Sequence, residues 1–194
     1  MNGDEYLDLR LGDFLERLGT GHPAPGSGSA SALTVAFAAG LVAMVARRSA
    51  DSWEDSAGVA AQALLLQARA APLALADAEV WEQALEALET AGGDTKPKGE
   101  LEQKLDLSAE VPVQIAEAAA DTALLAALAA ELGEGAYRAD AAAAAVLAAA
   151  GARAAAHLVS VNLAIQEGDD RLVRARASEE TAADAAARAL DAGR

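Results

Sequence analysis

The sequence has no cysteine, two histidines, two residues each of Trp, Tyr and Phe, and half as many basic as acidic side chains. Without cysteine there is no disulfide, no thiolate nucleophile and no zinc–thiolate site. His22 and His157 are far apart in the chain and make a poor ligand set, so no metal is expected. Fifteen Lys and Arg against thirty Asp and Glu give a formal net charge of −15. Long-range repulsion then opposes nucleic acid and anionic membranes as partners. A hydrophobic signal core is missing too, since the chain starts Met1-Asn-Gly-Asp-Glu-Tyr6, and the apolar run Ala32 to Ala46 is short for a bilayer span. These absences point to a cytoplasmic protein. Large side chains are scarce: hydrophobic residues are 53% of the chain but aromatics only 3%. The apolar mass is mostly alanine, which buries little surface per residue, so stability must come from many close helix contacts and from a second subunit.

What is present is organised around one loop, His22-Pro-Ala-Pro-Gly-Ser-Gly-Ser-Ala-Ser31. Pro23 and Pro25 keep the backbone out of helix, Gly26 and Gly28 permit close approaches that a Cβ would block, and Ser29 or Ser31 is placed to cap the helix that follows. Free N–H groups and the positive end of a helix dipole meet there, which suits a carboxylate, a phosphate or a polarised carbonyl. A proline-glycine-serine turn that only joins two helices is the alternative for this loop. A P-loop or dinucleotide fingerprint is the weaker reading, because no β-branched strand precedes the loop, the third glycine is missing and no Lys-Ser or Lys-Thr follows.

Helical periodicity covers the rest. Leu11, Phe14, Leu15 and Leu18 mark an amphipathic helix ended by Gly19. A second helix, about Ser29 to Arg48, is apolar on nearly every side. Its Ala32, Ala36 and Gly40 stripe lets another helix come close, making it the central helix. A long stretch from Asp51 must break near Pro72 and resume through Asp77, Trp81, Leu85 and Leu88. Thr90 to Gly99 reads as a polar loop carrying Lys96 and Lys98. A further helix is expected over about Ser108 to Leu132, with Pro112 in its first turn. Another runs from Arg138 to about Gln166, with Asp140 in its first turn and Asn162 near its end. A charged tail from Glu167 reads as a surface helix. No linker divides the chain, so residues 1–194 form one all-α domain, a bundle of long alanine-rich helices.

Several of these segments together resemble the cyclodeaminase/cyclohydrolase family, the cyclodeaminase part of formiminotransferase-cyclodeaminase and the methenyltetrahydrofolate cyclohydrolases. Pro23-Ala-Pro-Gly-Ser-Gly-Ser29 followed by Met44-Val-Ala46 is similar to the family's glycine loop and Met-Val-Ala helix. Asp77-Ala-Glu-Val-Trp81, Lys96-Pro-Lys98, Val111-Pro112, Asp140-Ala-Ala and Val161-Asn-Leu163 follow in the family's order, over about Leu11 to Ile165. The resemblance implies an all-helical homodimer acting on a reduced folate without a metal or other cofactor. It implies either a lyase that closes 5-formiminotetrahydrofolate to the 5,10-methenyl form or a hydrolase that opens the methenyl bridge. Both need a group that accepts and returns a proton near one carbon. Asp77, flanked by Leu73, Leu75, Ala76 and Ala78, is the candidate catalytic carboxylate. Pro25, Gly26, Ser27, Gly28 and Ser29 would position the pterin, Arg47 and Lys98 would meet the glutamate tail, and Asp140 and Asn162 would make further contacts. The alternative is a divergent, non-catalytic member that binds another small molecule or a protein. It is favoured by Ser27 in place of a family glycine and by the loss of basic and amide side chains around Arg48–Trp53 and Glu134–Ala139.

Overall fold

A computed structural model describes residues 6–90, 99–162 and 165–192 of the chain. Among these residues the chain is helical throughout, with seven α-helices and a short 3-10 turn at Gly135–Tyr137. The helices are α1 (Leu11–Leu18), α2 (Ser27–Arg48), α3 (Ser56–Ala70), α4 (Leu73–Thr90), α5 (Glu100–Leu132), α6 (Arg138–Val161) and α7 (Asp170–Ala192).

Alanine sets the packing. The largest core cluster holds Ala116, Ala119, Ala123 and Ala126 of α5 against Ala144, Ala148, Ala152 and Ala155 of α6, all fully buried, with Val35, Val42 and Val45 of α2. The small stripe of α2 works as its spacing predicts. A Cβ on Gly40 would lie 2.7 Å from Gln67 Nε2 of α3, and Gln67 donates to the Ala36 carbonyl at 3.2 Å. Gly151 of α6 gives way in the same manner to the Val35 side chain. α5 is the axis of the fold, packing on α2, α3, α4, α6 and α7. By length and composition four helical stretches are apolar enough to cross a membrane, and in this fold between 33% and 67% of each such window is buried. A separate small core, Ala84 with Leu101 and Leu105, joins the outer halves of α4 and α5 beyond the main bundle.

Boundaries in α5 and α6 differ from the sequence expectation. α5 begins at Glu100, eight residues before Ser108, and Pro112 lies in its interior. Leu101 and Leu105, one turn apart on the face toward α4, supply the burial that carries the helix through the proline. α6 stops at Val161, not near Gln166, because Asn162 turns extended (ψ 133°) and sends its side chain to α5. The tail does form an outer helix, α7. Leu172, Ala175, Ala182, Ala185 and Ala189 face inward, Arg171 reaches Asp106 of α5 at 2.8 Å, and Arg174 reaches Glu117 at 2.7 Å.

Candidate functional site

α2 and α6 run antiparallel. The start of α2 and the end of α6 share a cavity, while at their other ends the Ser49 hydroxyl accepts the Glu134 N–H at 2.8 Å. The cavity, of about 260 Å³, is lined by Gly26, Ser27 and Gly28 from the loop and α2, Asp77 and Trp81 from α4, Ser108 and Pro112 from α5, and Asn162 with its neighbours from α6. Four stretches distant in sequence therefore converge on one carboxylate.

The loop and Asp77, which the sequence offers as separate candidates, are one device. α2 starts at Ser27, two residues earlier than expected, and no side chain caps it. Ser31 instead donates back to the Ser27 carbonyl at 2.8 Å. The buried Ser29 hydroxyl crosses to the Ala74 carbonyl of α4 at 2.7 Å, which pins α4 one turn before Asp77. The Ser29 backbone N–H then donates to the Asp77 carboxylate. The anion held at this helix N-terminus is thus the protein's own. Glycine is required at position 28 for the same reason: a Cβ there would fall on the Asp77 carboxyl carbon and both of its oxygens. Two influences act on the Asp77 proton. Burial raises its affinity and the Ser29 N–H lowers it; burial prevails and pushes the carboxyl up to about 6. A carboxyl poised there both gives and takes a proton near neutral pH.

The walls are apolar. Trp81, 41% exposed, Pro23, Pro112, Leu158 and Val161 enclose the carboxylate with flat or branched surface, a shape that suits a planar ring lying against Trp81. Asn162 is at the cavity, but its amide hydrogens are spent on α5, one on the Leu105 carbonyl at 3.1 Å and one on Ser108 Oγ at 2.9 Å.

Other candidates lie elsewhere. Pro25, whose peptide bond with Ala24 is cis, lines a neighbouring cavity on the other side of the loop with Tyr6, Asp13, Glu16 and Glu82. Arg47 is exposed at the far end of α2, roughly 30 Å along the helix from Gly28. Asp140, in the first turn of α6, shares that far end. Within one chain neither meets Asp77. Lys98, and Lys96 with it, lies outside the described residues. A larger cavity, about 460 Å³ between α3 and α5, contains Arg69 and Asp121, which pair at 3.6 Å.

Sequence reasoning did not select Trp81, Ser108, Pro112, Leu158 or Val161 as site residues. Trp81 had a signal, one helical turn after Asp77 and hence on the same face. Ser108 and Pro112 had one as well, being four residues apart on one expected helix and hence on the same face.

The family model described as formiminotransferase-cyclodeaminase matches residues 10–183. No curated protein sequence matches the chain. The fold is similar to the crystal structure of formiminotetrahydrofolate cyclodeaminase from Thermotoga maritima, with a TM-score of 0.84 over 95% of each chain at 22% identity. The match takes in the loop, Asp77, Pro112 of α5 and the end of α6, and the chain belongs to the formiminotransferase-cyclodeaminase family.

Proposed function

We propose that this protein is a folate one-carbon enzyme that closes 5-formiminotetrahydrofolate to 5,10-methenyltetrahydrofolate, with Asp77 as its acid–base group. N10 attacks the carbon of the protonated formimino group, forming the new C–N bond, while the C=N electron pair moves onto the NH2 nitrogen. Asp77 takes the N10 proton and returns it to that nitrogen. The C–N bond then breaks, the N5 lone pair forms the methenyl bridge, and ammonia leaves. A single carboxyl suffices for this shuttle, and no step needs a metal or a covalent enzyme intermediate. The pterin lies between Trp81 and the apolar walls, with its reacting edge toward Asp77.

The observation that carries this reading is the seating of the Asp77 carboxyl on Gly28, at the N-terminus of α2 inside an apolar cavity. Among the described residues no Lys or Arg lines that cavity. A cation for the glutamate tail must then come from the Lys96–Lys98 segment or from a second subunit, and we propose that the working form is a cytoplasmic homodimer. The test is absorbance of the methenyl chromophore when purified protein is given 5-formiminotetrahydrofolate. Growth of the chromophore with release of ammonia is expected. Loss of the chromophore from supplied methenyltetrahydrofolate, with no reaction of the formimino compound, would assign the hydrolase chemistry instead, and no change with either folate would overturn the enzymatic reading.

A further inference from the structure

Within an α-helix each residue donates its N–H to the carbonyl four residues back. Pro112 has no N–H, so the Ser108 carbonyl loses its α-helical donor in the middle of α5. The neighbouring groups are provided for. Asn162 donates to the Leu105 carbonyl and to Ser108 Oγ, and Ser108 Oγ donates to the Leu105 carbonyl at 2.9 Å. Arg171 holds Asp106, also on this turn, at 2.8 Å. These bonds hold the turn of α5 before Pro112 from the end of α6 and from α7 without supplying a donor to the Ser108 carbonyl. Ser108 and Pro112, one turn apart on the same face of α5, both line the cavity that contains Asp77. The released carbonyl therefore lies on the strip of α5 that faces the cavity.

We propose that the Ser108 carbonyl is a substrate-binding group that accepts an N–H from a cationic amidinium carried by the ligand beside Asp77. The inference rests on the folate reading above and narrows it. A protonated formimino group is an amidinium with two N–H bonds on its departing nitrogen. One meets the Ser108 carbonyl and the other the Asp77 carboxylate, so the nitrogen that must leave is held by acceptors on two sides. A methenyl bridge has no N–H at its carbon and gains nothing from this carbonyl. The site then selects the deaminating substrate by hydrogen-bond complement as well as by shape. The Pro112, Leu158 and Val161 walls set apolar surface beside these charge-assisted bonds.

Pro112→Ala tests the idea, because alanine restores the N–H that closes on the Ser108 carbonyl and is the better helix former. Thermal stability should hold or rise while the KM for 5-formiminotetrahydrofolate increases about tenfold, the scale of one hydrogen bond to a charged group. Formamidinium chloride, followed by broadening of its single C–H proton resonance, provides a readout that needs no turnover. Wild type should bind it about tenfold more tightly than the variant. Pro112→Val restores the same N–H with more side-chain volume and serves if the alanine variant does not fold. Equal formamidinium binding by wild type and a folded variant overturns the proposal, whatever the stability does. If wild type turns over neither folate, the enzymatic reading falls, and the formamidinium comparison still judges the carbonyl.

Discussion

The two ends of the bundle are built from the same helices to opposite purposes. At the far end, where α2 passes to α3 and α5 to α6, the chain is sealed. Ser49 Oγ donates to Val45 at 2.8 Å and accepts from Glu134, Arg138 returns to the Ala130 carbonyl at 3.0 Å, and Arg48 lies over the Tyr137 ring. At the near end the same helices leave a cavity, a proline inside α5 and a buried acid. The contrast shows where the fold spends stability and where it gains it. A carboxyl pushed up to about 6 is ionised in the folded protein at neutral pH only at a cost, since it would ionise freely near 3.8 once unfolded.

That contrast predicts effects of opposite sign on rate and on stability. Asp77→Asn should lower turnover by roughly 10²-fold or more while raising the melting temperature at pH 7. The stability gain has a ceiling of ~3 kcal/mol. The sign follows from the raised proton affinity: between about pH 4 and 6 the folded state holds a proton that the unfolded state has released, so stability falls as pH rises through that window. The advantage of the variant should therefore vanish below about pH 4, which melting curves at the two pH values check. In the wild type kcat/KM should rise through pH 6 as the carboxylate forms. A mutant of unchanged stability at pH 7 would show that Asp77 is not desolvated.

Gly28→Ala is next in size. It should lose both activity and ~1–3 kcal/mol of stability, because the new methyl displaces Asp77. In an Asp77→Ala background the stability loss should shrink to within ~0.5 kcal/mol, a coupling that a denaturant double-mutant cycle measures. At the sealed end Gly133→Ala should cost a similar ~1–3 kcal/mol with no change in kcat for the folded fraction. A Cβ there would meet the Ala129 carbonyl, Ser49 Oγ and Val45. The smallest effect is expected of Ser49→Ala, which leaves the Glu134 N–H without its acceptor, at ~1 kcal/mol in urea unfolding and again with a normal rate.

How much of this was legible follows from the length scale of each signal. The span of helix α1 and the small-residue stripe of α2 are local patterns that the sequence displays, while of the apolar positions expected on α1 only Phe14 is buried and Leu11 and Leu15 are exposed. Asp77, Gly28 and Asn162 were nameable singly. That Gly28 exists to admit Asp77 was not, because a glycine in a loop reads as freedom for the loop, while its actual neighbour is forty-nine residues away. Arg47 and Asp140 show the converse effect of scale within one chain. Each follows a site segment in sequence order, yet a long helix carries it to the other end of the bundle. Pro112 misled in a third way. A proline is at home in a first turn, and only Leu101 and Leu105 packing on α4 reveal that the helix had already begun.

The alanine core also has a calorimetric consequence. Alanine loses no side-chain rotamer freedom on burial, so the core orders at little entropic cost. It likewise exposes little apolar surface per residue on melting, while the backbone exposes as much polar surface as in any helix. Since apolar exposure raises the heat capacity and polar exposure lowers it, the heat-capacity increment should fall below the usual ~12–15 cal/mol/K per residue. The stability curve of this protein is then broad and shallow, varying little over a wide span of temperature on either side of its maximum.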